Sequence, residues 1–133
     1  MIKRIPGYWM SDGKEDMQLG NIAGMLSSTY WAQQRSLEEI ESSMHQSHCF
    51  GLFKESQQVG FARIVTDGVS VYWLCDVVIH INHRGKGLGK VFLDFILKDH
   101  MYSGLGILMT RDAHDLYEQY GYQINKDNFM MKP

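Results

Sequence analysis

Arg84-Gly85-Lys86-Gly87-Leu88-Gly89 is the stretch whose residue types and spacing could do chemistry. Its closely spaced glycines let backbone N–H groups approach a ligand and take conformations barred to other residues. A helix opening directly after them would add unpaired N–H groups and the positive end of its dipole. Together these would cradle a pyrophosphate. Two familiar glycine-loop patterns do not fit. A Walker A loop requires Gly-Lys-Ser/Thr after its first glycine and spacer. Here Gly89-Lys90 is followed by Val91, and position 84 is Arg. A dinucleotide fingerprint, Gly-x-Gly-x-x-Gly, would need its last glycine at position 90, which is Lys. It also normally follows the first strand of a βαβ unit, whereas this loop lies past mid-chain. The pattern that remains is Arg-x-x-Gly-x-Gly, carried by Arg84, Gly87 and Gly89.

The elements that must hold this loop can be read on either side of it. Val69 to His80 predicts the longest strand, with Val69, Val71, Trp73, Cys75, Val77 and Ile79 apolar on one face. Leu74 and Val78 add apolar residues on the other, so the strand belongs mid-sheet, covered on both sides. After the loop, Leu88, Val91, Phe92, Phe95 and Ile96 form a helical stripe. Upstream, Ile5 to Met10 predicts a strand ended by Ser11-Asp12-Gly13. Leu19, Ile22, Ala23 and Leu26 follow helical spacing, and Ser36 with Glu39 forms a capping box for a second helix. Cys49 to Lys54 and Val59 to Thr66 read as hairpin strands around Glu55 to Gln58, and Asp67-Gly68 is a second hairpin signal. Gly106 to Thr110 is a short strand. Asp112 is placed to cap a helix bearing Ala113, Leu116, Tyr117 and Tyr120, with Gly121 as its C′ residue. Tyr122 to Ile124 and Phe129 to Met131 read as closing strands. The order is β-α-α-β-β-β-α-β-α-β(-β), an α/β mixed sheet with helices on both faces.

Composition narrows the function. The 133 residues predict one domain spanning 1–133, with 44% apolar residues and only 2 prolines. A net charge of −2 with scattered basic residues gives no case for nucleic acid. The start, Met1 to Pro6, lacks an apolar signal region, and no run reaches membrane-spanning length, so a cytoplasmic location is expected. Cys49 and Cys75 lie among apolar residues and read as reduced core thiols. His45/His48 and His80/His83 are paired in sequence, but neither pair has a Cys, Asp or Glu partner at ligand spacing, so no metal is expected.

The loop resembles the acetyl-CoA loop of the GNAT superfamily of N-acetyltransferases. Leu74-Cys75-Asp76-Val77-Val78-Ile79 looks like the strand preceding that loop in the family. Leu116-Tyr117-Glu118-Gln119-Tyr120-Gly121-Tyr122 looks like its C-terminal Leu-Tyr-Glu-x-x-Gly-Phe signature. The resemblance covers nearly the whole chain and is tightest from Trp73 to Tyr122.

That resemblance implies acetyl transfer from acetyl-CoA, as co-substrate, to a primary amine of a small molecule or peptide. It implies that Gly85, Gly87, Gly89 and Leu88 offer backbone amides to the pyrophosphate, with charge from Arg84 and Lys86. It implies that the backbone of Val77, Val78 and Ile79 pairs with the pantetheine arm where the long strand splays from its neighbour. An amide near Val77 or Val78 would stabilise the oxyanion. Tyr117 matches the signature Tyr and would protonate the leaving thiolate, with Tyr120 a competitor one turn away. Thr110 stands where many members carry an Asn that contacts CoA or water.

Asp76 is the only carboxylate on the long strand and is the candidate general base. The same residue could instead be structural, pairing with a buried Arg such as Arg63. The family's acceptor pocket lies between the first two helices, their connection and the sheet. Tyr30, Trp31 and Arg35 fall in that connection and Arg63 on a strand, which suits a small amine with an apolar or anionic part. Trp31 could equally be an apolar plug between helices. A CoA-binding regulatory domain without transferase activity is the alternative. A chain this short could form a homodimer through its C-terminal strands.

Overall fold

A computed structural model describes residues 1–133. One sheet runs in the order β1-β2-β3-β4-β5-β6. Its strands are β1 (Ile2–Ile5), β2 (Tyr8–Ser11), β3 (His48–Lys54), β4 (Gln57–Thr66), β5 (Val71–Ile79) and β6 (Leu105–Leu108). Neighbours are antiparallel except β5 and β6, which are parallel and joined through helix α3 (Leu88–Asp94). The other helices are α1 (Leu19–Leu26), α2 (Leu37–His45) and α4 (His114–Glu118).

The two faces of the sheet carry separate cores. On one, Leu88, Phe92, Phe95 and Ile96 of the α3 stripe and its continuation pack on Phe50, Leu52, Ala62, Ile64 and Leu74. On the other, Ile22, Met25 and Leu26 of α1 and Ile40 of α2 pack on Cys49, Phe61 and Val78. Full burial of each large apolar side chain stabilises by about 1.5–3 kcal/mol, so these stripes fix both helical layers. The capping box forms: Ser36 Oγ accepts from the Glu39 amide at 3.1 Å, and Glu39 Oε1 accepts from the Ser36 amide at 2.9 Å.

Several elements differ from expectation. The single N-terminal strand is a hairpin, turned at Pro6-Gly7 with Gly7 at φ +80°. Proline presets the first turn position and glycine takes the positive φ. The stripe helix stops its α geometry at Asp94 and continues as a wider π turn over Phe95–Asp99. α4 is not capped by the Asp112 side chain. Its N-cap is Ala113, whose amide donates to Thr110 Oγ1 at 3.1 Å. The two expected closing strands do not form, and β6 is the sheet edge. Their apolar runs are short and divided by Asn125-Lys126-Asp127-Asn128, a turn-forming polar tract that leaves too little strand for an independent hairpin.

The even alternation expected along β5 also breaks. Its register against β4 shifts between Phe61 and Arg63, and Asp76 sits opposite this shift at φ +57°. This β-bulge changes the parity of the strand. Leu74 packs toward α3, whereas Val78, an even number of residues on, packs toward α1 and α2. A positive φ is costly for a residue with a Cβ, although Asp tolerates it better than most.

Candidate active site

β5 pairs with β6 only from Val71 to Leu74. From Cys75 to Ile79 the strand has no partner on that side, so a slot opens at its C-terminal end. Val77, Val78 and Ile79 lie along this slot. Gly104, at φ +88°, sets where β6 enters. A Cβ there would meet the Ser70 carbonyl oxygen at 2.2 Å, and the next amide, of Leu105, donates to that oxygen at 2.9 Å.

The glycine loop follows the open end of β5. Gly85 and Gly87 take φ of +76° and +77°, and Gly87 is the N-cap of α3. The first bond into the helix is from the Val91 amide to the Gly87 carbonyl. The N–H groups of residues 85–90 have no acceptor in the protein. A Cβ built on Gly85, Gly87 or Gly89 meets nothing within 4 Å. The loop thus presents a run of free donors to open space that side chains would fill. Arg84 Nε donates to the Ile79 carbonyl at 2.8 Å and braces the loop against the strand end. Leu88 buries its side chain in the core and can offer only its amide, while Lys86 is exposed.

Asp76 is the hub of a second cluster. Its side chain is 2% exposed. Oδ2 accepts from Arg35 Nη1 at 2.6 Å and from Arg63 Nε at 2.7 Å, and Oδ1 accepts from Trp31 Nε1 at 3.1 Å. Burial pushes its carboxyl up, but the hydrogen bonds and charges of Arg35 and Arg63 outweigh this and hold it below the usual carboxylate range. Arg63 Nη1 also donates to Ser47 Oγ at 3.1 Å. Tyr30 meets Trp31 edge-on at 5.0 Å, and the Arg111 guanidinium lies 3.6 Å from the Tyr30 ring centroid.

Tyr117 on α4 and Tyr120 in the turn after it have unequal settings. The Tyr120 hydroxyl donates to Asp94 Oδ1 at 2.6 Å and accepts from Lys90 Nζ at 3.0 Å. Burial and then the Asp94 hydrogen bond raise its pKa. The Tyr117 hydroxyl has no such partner. Burial, followed by the Asp112 and Tyr120 charges, pushes it up to about 12. Tyr117, Thr110 and His114 line part of a cavity of about 910 Å³ beside β6 and the C-terminal segment.

Residues 45–124 match the acetyltransferase (GNAT) domain family. The chain belongs to the GNAT acetyltransferase family. A curated relative, "Putative acetyltransferase FG08082" of Gibberella zeae, is 29% identical over 109 residues, covering 67% of this chain. The match spans 62% of that relative's length. A GNAT-family protein from Xanthomonas campestris pv. campestris has a crystal structure that superposes with a TM-score of 0.87 at 30% identity. That likeness covers 98% of this chain and 95% of that one. A GNAT family protein from Streptococcus pneumoniae, 19% identical, shares the fold with a TM-score of 0.70 over 99% of this chain and 96% of its own.

GNAT acetyltransferases as a family use acetyl-CoA, and the loop fits such a ligand. Its free amides, open space and adjacent cations suit a pyrophosphate, and the slot beside β5 suits an extended arm. The residues singled out from sequence fall into three groups in space. The loop and the β5 edge are contiguous. Trp31, Arg35 and Arg63 converge on Asp76, with Tyr30 against Trp31. Tyr117 stands on α4. Sequence reasoning missed Ser47, Arg111, Lys90 and Asp94, none of which sits in a recognisable motif. Asp94 and Lys90 carried one available signal, their i,i+4 spacing on the α3 stripe's polar side.

Proposed function

We propose that this GNAT protein moves an acetyl group from acetyl-CoA to a primary amine of a small molecule or peptide by direct attack in a ternary complex. The observation that carries this reading is the run of amides at 85–90 without protein acceptors, set beside the unpaired edge of β5. When bound, acetyl-CoA would supply an activated thioester, whose carbonyl carbon bonds to the amine nitrogen as the C–S bond breaks.

The chain's own residues would do the rest. The amides of Gly85, Gly87, Leu88 and Gly89 hold the pyrophosphate, with charge from Arg84 and Lys86. The backbone of Val77, Val78 and Ile79 pairs with the pantetheine arm. An amide near Val77 or Val78 donates to the carbonyl oxygen as negative charge develops there. Thr110 keeps a hydroxyl lone pair for CoA or water beyond its bond to Ala113. Tyr117 Oη hydrogen-bonds the departing thiolate sulfur and gives it a proton. With its pKa near 12 against about 8.5 for a free thiol, full transfer is uphill. Tyr117 therefore acts chiefly by hydrogen-bonding the sulfur, and the phenol regains from water the proton it passes on. Asp76, the candidate base, already serves three donors and is held acidic. We assign it to anchoring Arg35 and Arg63, and the amine proton leaves through water.

The test is calorimetry with acetyl-CoA, using ATP and NAD as controls, followed by thiol release across an amine panel. Selective acetyl-CoA binding with thiol release is expected. Binding without release from any amine would favour a CoA-binding regulatory domain. No binding would remove both readings.

A further inference from the structure

The Asp76 cluster holds more positive charge than its structure uses. Two guanidinium groups share one carboxylate oxygen, and a third, from Arg111, covers the neighbouring Tyr30 ring. Glu39 is another acid within reach of Arg35's charge, and its carboxylate also accepts from the Ser36 amide in the capping box. Asp112 follows Arg111 in sequence and its charge acts on Tyr117. At the Asp76 carboxylate itself two guanidinium groups meet one negative charge.

Arg35 is the accessible member. Its side chain is 29% exposed, against 13% for Arg63. Only Nη1 of Arg35 has an acceptor in the protein, so the rest of its donor fork is free. Exposed Trp31 shares Asp76 with it, and exposed Tyr30 packs edge-on against Trp31. Asp76 fixes Arg35 in place, so the free edge of the guanidinium is already oriented before anything binds. A planar fork with unused N–H groups matches a carboxylate or phosphate in paired hydrogen bonds.

The location makes this an acceptor feature. Asp76 immediately precedes Val77, whose backbone belongs to the proposed transfer site. Arg35 is bonded to the residue that precedes Val77, so an anion on its free edge would sit near the proposed transfer site. We propose that the acceptor carries an anionic group, carboxylate or phosphate, a short linker away from its amine, and that the free edge of Arg35, backed by Arg63, binds it. This rests on the acetyl-transfer reading for its role, although the anion site can be measured by itself.

The experiment compares matched pairs that differ only in charge: 4-aminobutanoate against 4-aminobutanamide, and 2-aminoethyl phosphate against 2-aminoethanol. Binding of each to the whole protein, with and without CoA, is followed by saturation-transfer NMR and calorimetry, and thiol release is measured in parallel. The anionic member of at least one pair should bind about tenfold to a hundredfold more tightly, the range of charge-assisted hydrogen bonds. The pair showing the preference tells carboxylate from phosphate. Arg35→Gln should abolish the preference, and Arg35→Lys should restore part of it. Equal binding within both pairs, or a preference that survives Arg35→Gln, overturns the proposal. Melting temperature and acetyl-CoA affinity report whether each variant is folded. If Arg35→Gln does not fold, the wild-type pairs and Arg35→Lys still decide. Thiol release with neutral amines but no anion preference sinks only this proposal. Anion preference without acetyl-CoA binding sinks only the acetyl-transfer reading.

Discussion

The Tyr120 hydroxyl donates to Asp94 Oδ1 at 2.6 Å and so ties the turn that ends α4 to α3. Lys90 Nζ completes the contact at 3.0 Å and lies over the Tyr120 ring. α4 is only five residues long and has no side-chain cap of its own, so this tether does much to set where Tyr117 stands. Tyr120→Phe keeps the ring and removes the hydroxyl. It should cost about 1 kcal/mol of stability, the net worth of such a bond. Thermal melting checks this. Turnover should fall less than on loss of the Tyr117 hydroxyl, because Tyr120 only positions its neighbour.

Tyr117→Phe should lower thiol release by about tenfold to a hundredfold while leaving acetyl-CoA affinity nearly unchanged, as expected for loss of one charge-assisted hydrogen bond to the departing sulfur. Its pH dependence is distinctive. The phenol is pushed up to about 12, so it stays protonated across the usual assay range. Rates should therefore rise with pH as the acceptor amine loses its proton, and show no descending limb from Tyr117 below about pH 10. A descending limb near neutrality that vanishes in Tyr117→Phe would contradict this assignment. Unchanged turnover in the variant would pass the role to Tyr120 or water.

What the sequence made legible was local. Ser36 and Glu39 are three apart and announce their own capping box. Arg84, Gly87 and Gly89 announce a loop because glycine spacing and helix onset are both local signals. What it hid was set by pairing between distant strands. The bulge at Asp76 arises from the β4 register, and no feature of Leu74 to Ile79 marks the change of face. The pairing of Asp76 with Arg63 was legible and forms, but the arrival of Trp31 and Arg35 on the same carboxylate depends on that bulge turning Asp76 toward α1 and α2. The C-terminal runs look like strands by propensity, yet propensity alone does not form a strand pair. The π turn at Phe95 keeps the apolar stripe intact and so leaves no periodic trace.

Asp76→Asn should separate anchoring from catalysis. The change leaves two half-buried guanidinium groups without their counter-charge, a loss of about 3 kcal/mol or more. Linkage gives a second signature. The Asp76 pKa is lowered in the folded protein, so its stabilisation is fully present above the ordinary Asp value of about 4. It is lost as pH falls through the depressed folded value. Denaturant melts from neutral to acidic pH should show this acid limb in the wild type and lack it at Asp76→Asn. A variant as stable as wild type at neutral pH would deny Asp76 its anchoring role.

Gly89 offers the sharpest separation of loop chemistry from loop structure. Gly87 holds a positive φ, so any side chain there strains the backbone by about 1–2 kcal/mol, and lost binding could be read as lost fold. Gly89 lies in the first turn of α3 with no positive φ, and a Cβ added to it meets no protein atom within 4 Å. Gly89→Ala should therefore leave stability unchanged or raise it by up to about 1 kcal/mol, since alanine is the better helix former. The added methyl would enter open space at a position within the run of free amides at 85–90. Acetyl-CoA affinity should fall by about tenfold or more, because a pyrophosphate could no longer reach those donors at hydrogen-bonding distance. Gly89→Val should weaken binding further. Melting and calorimetry on the same samples decide the matter. A variant at least as stable as wild type that binds acetyl-CoA poorly identifies the open face of the loop as the ligand's seat. One that binds normally places the pyrophosphate elsewhere and leaves the glycines only their part in the turn.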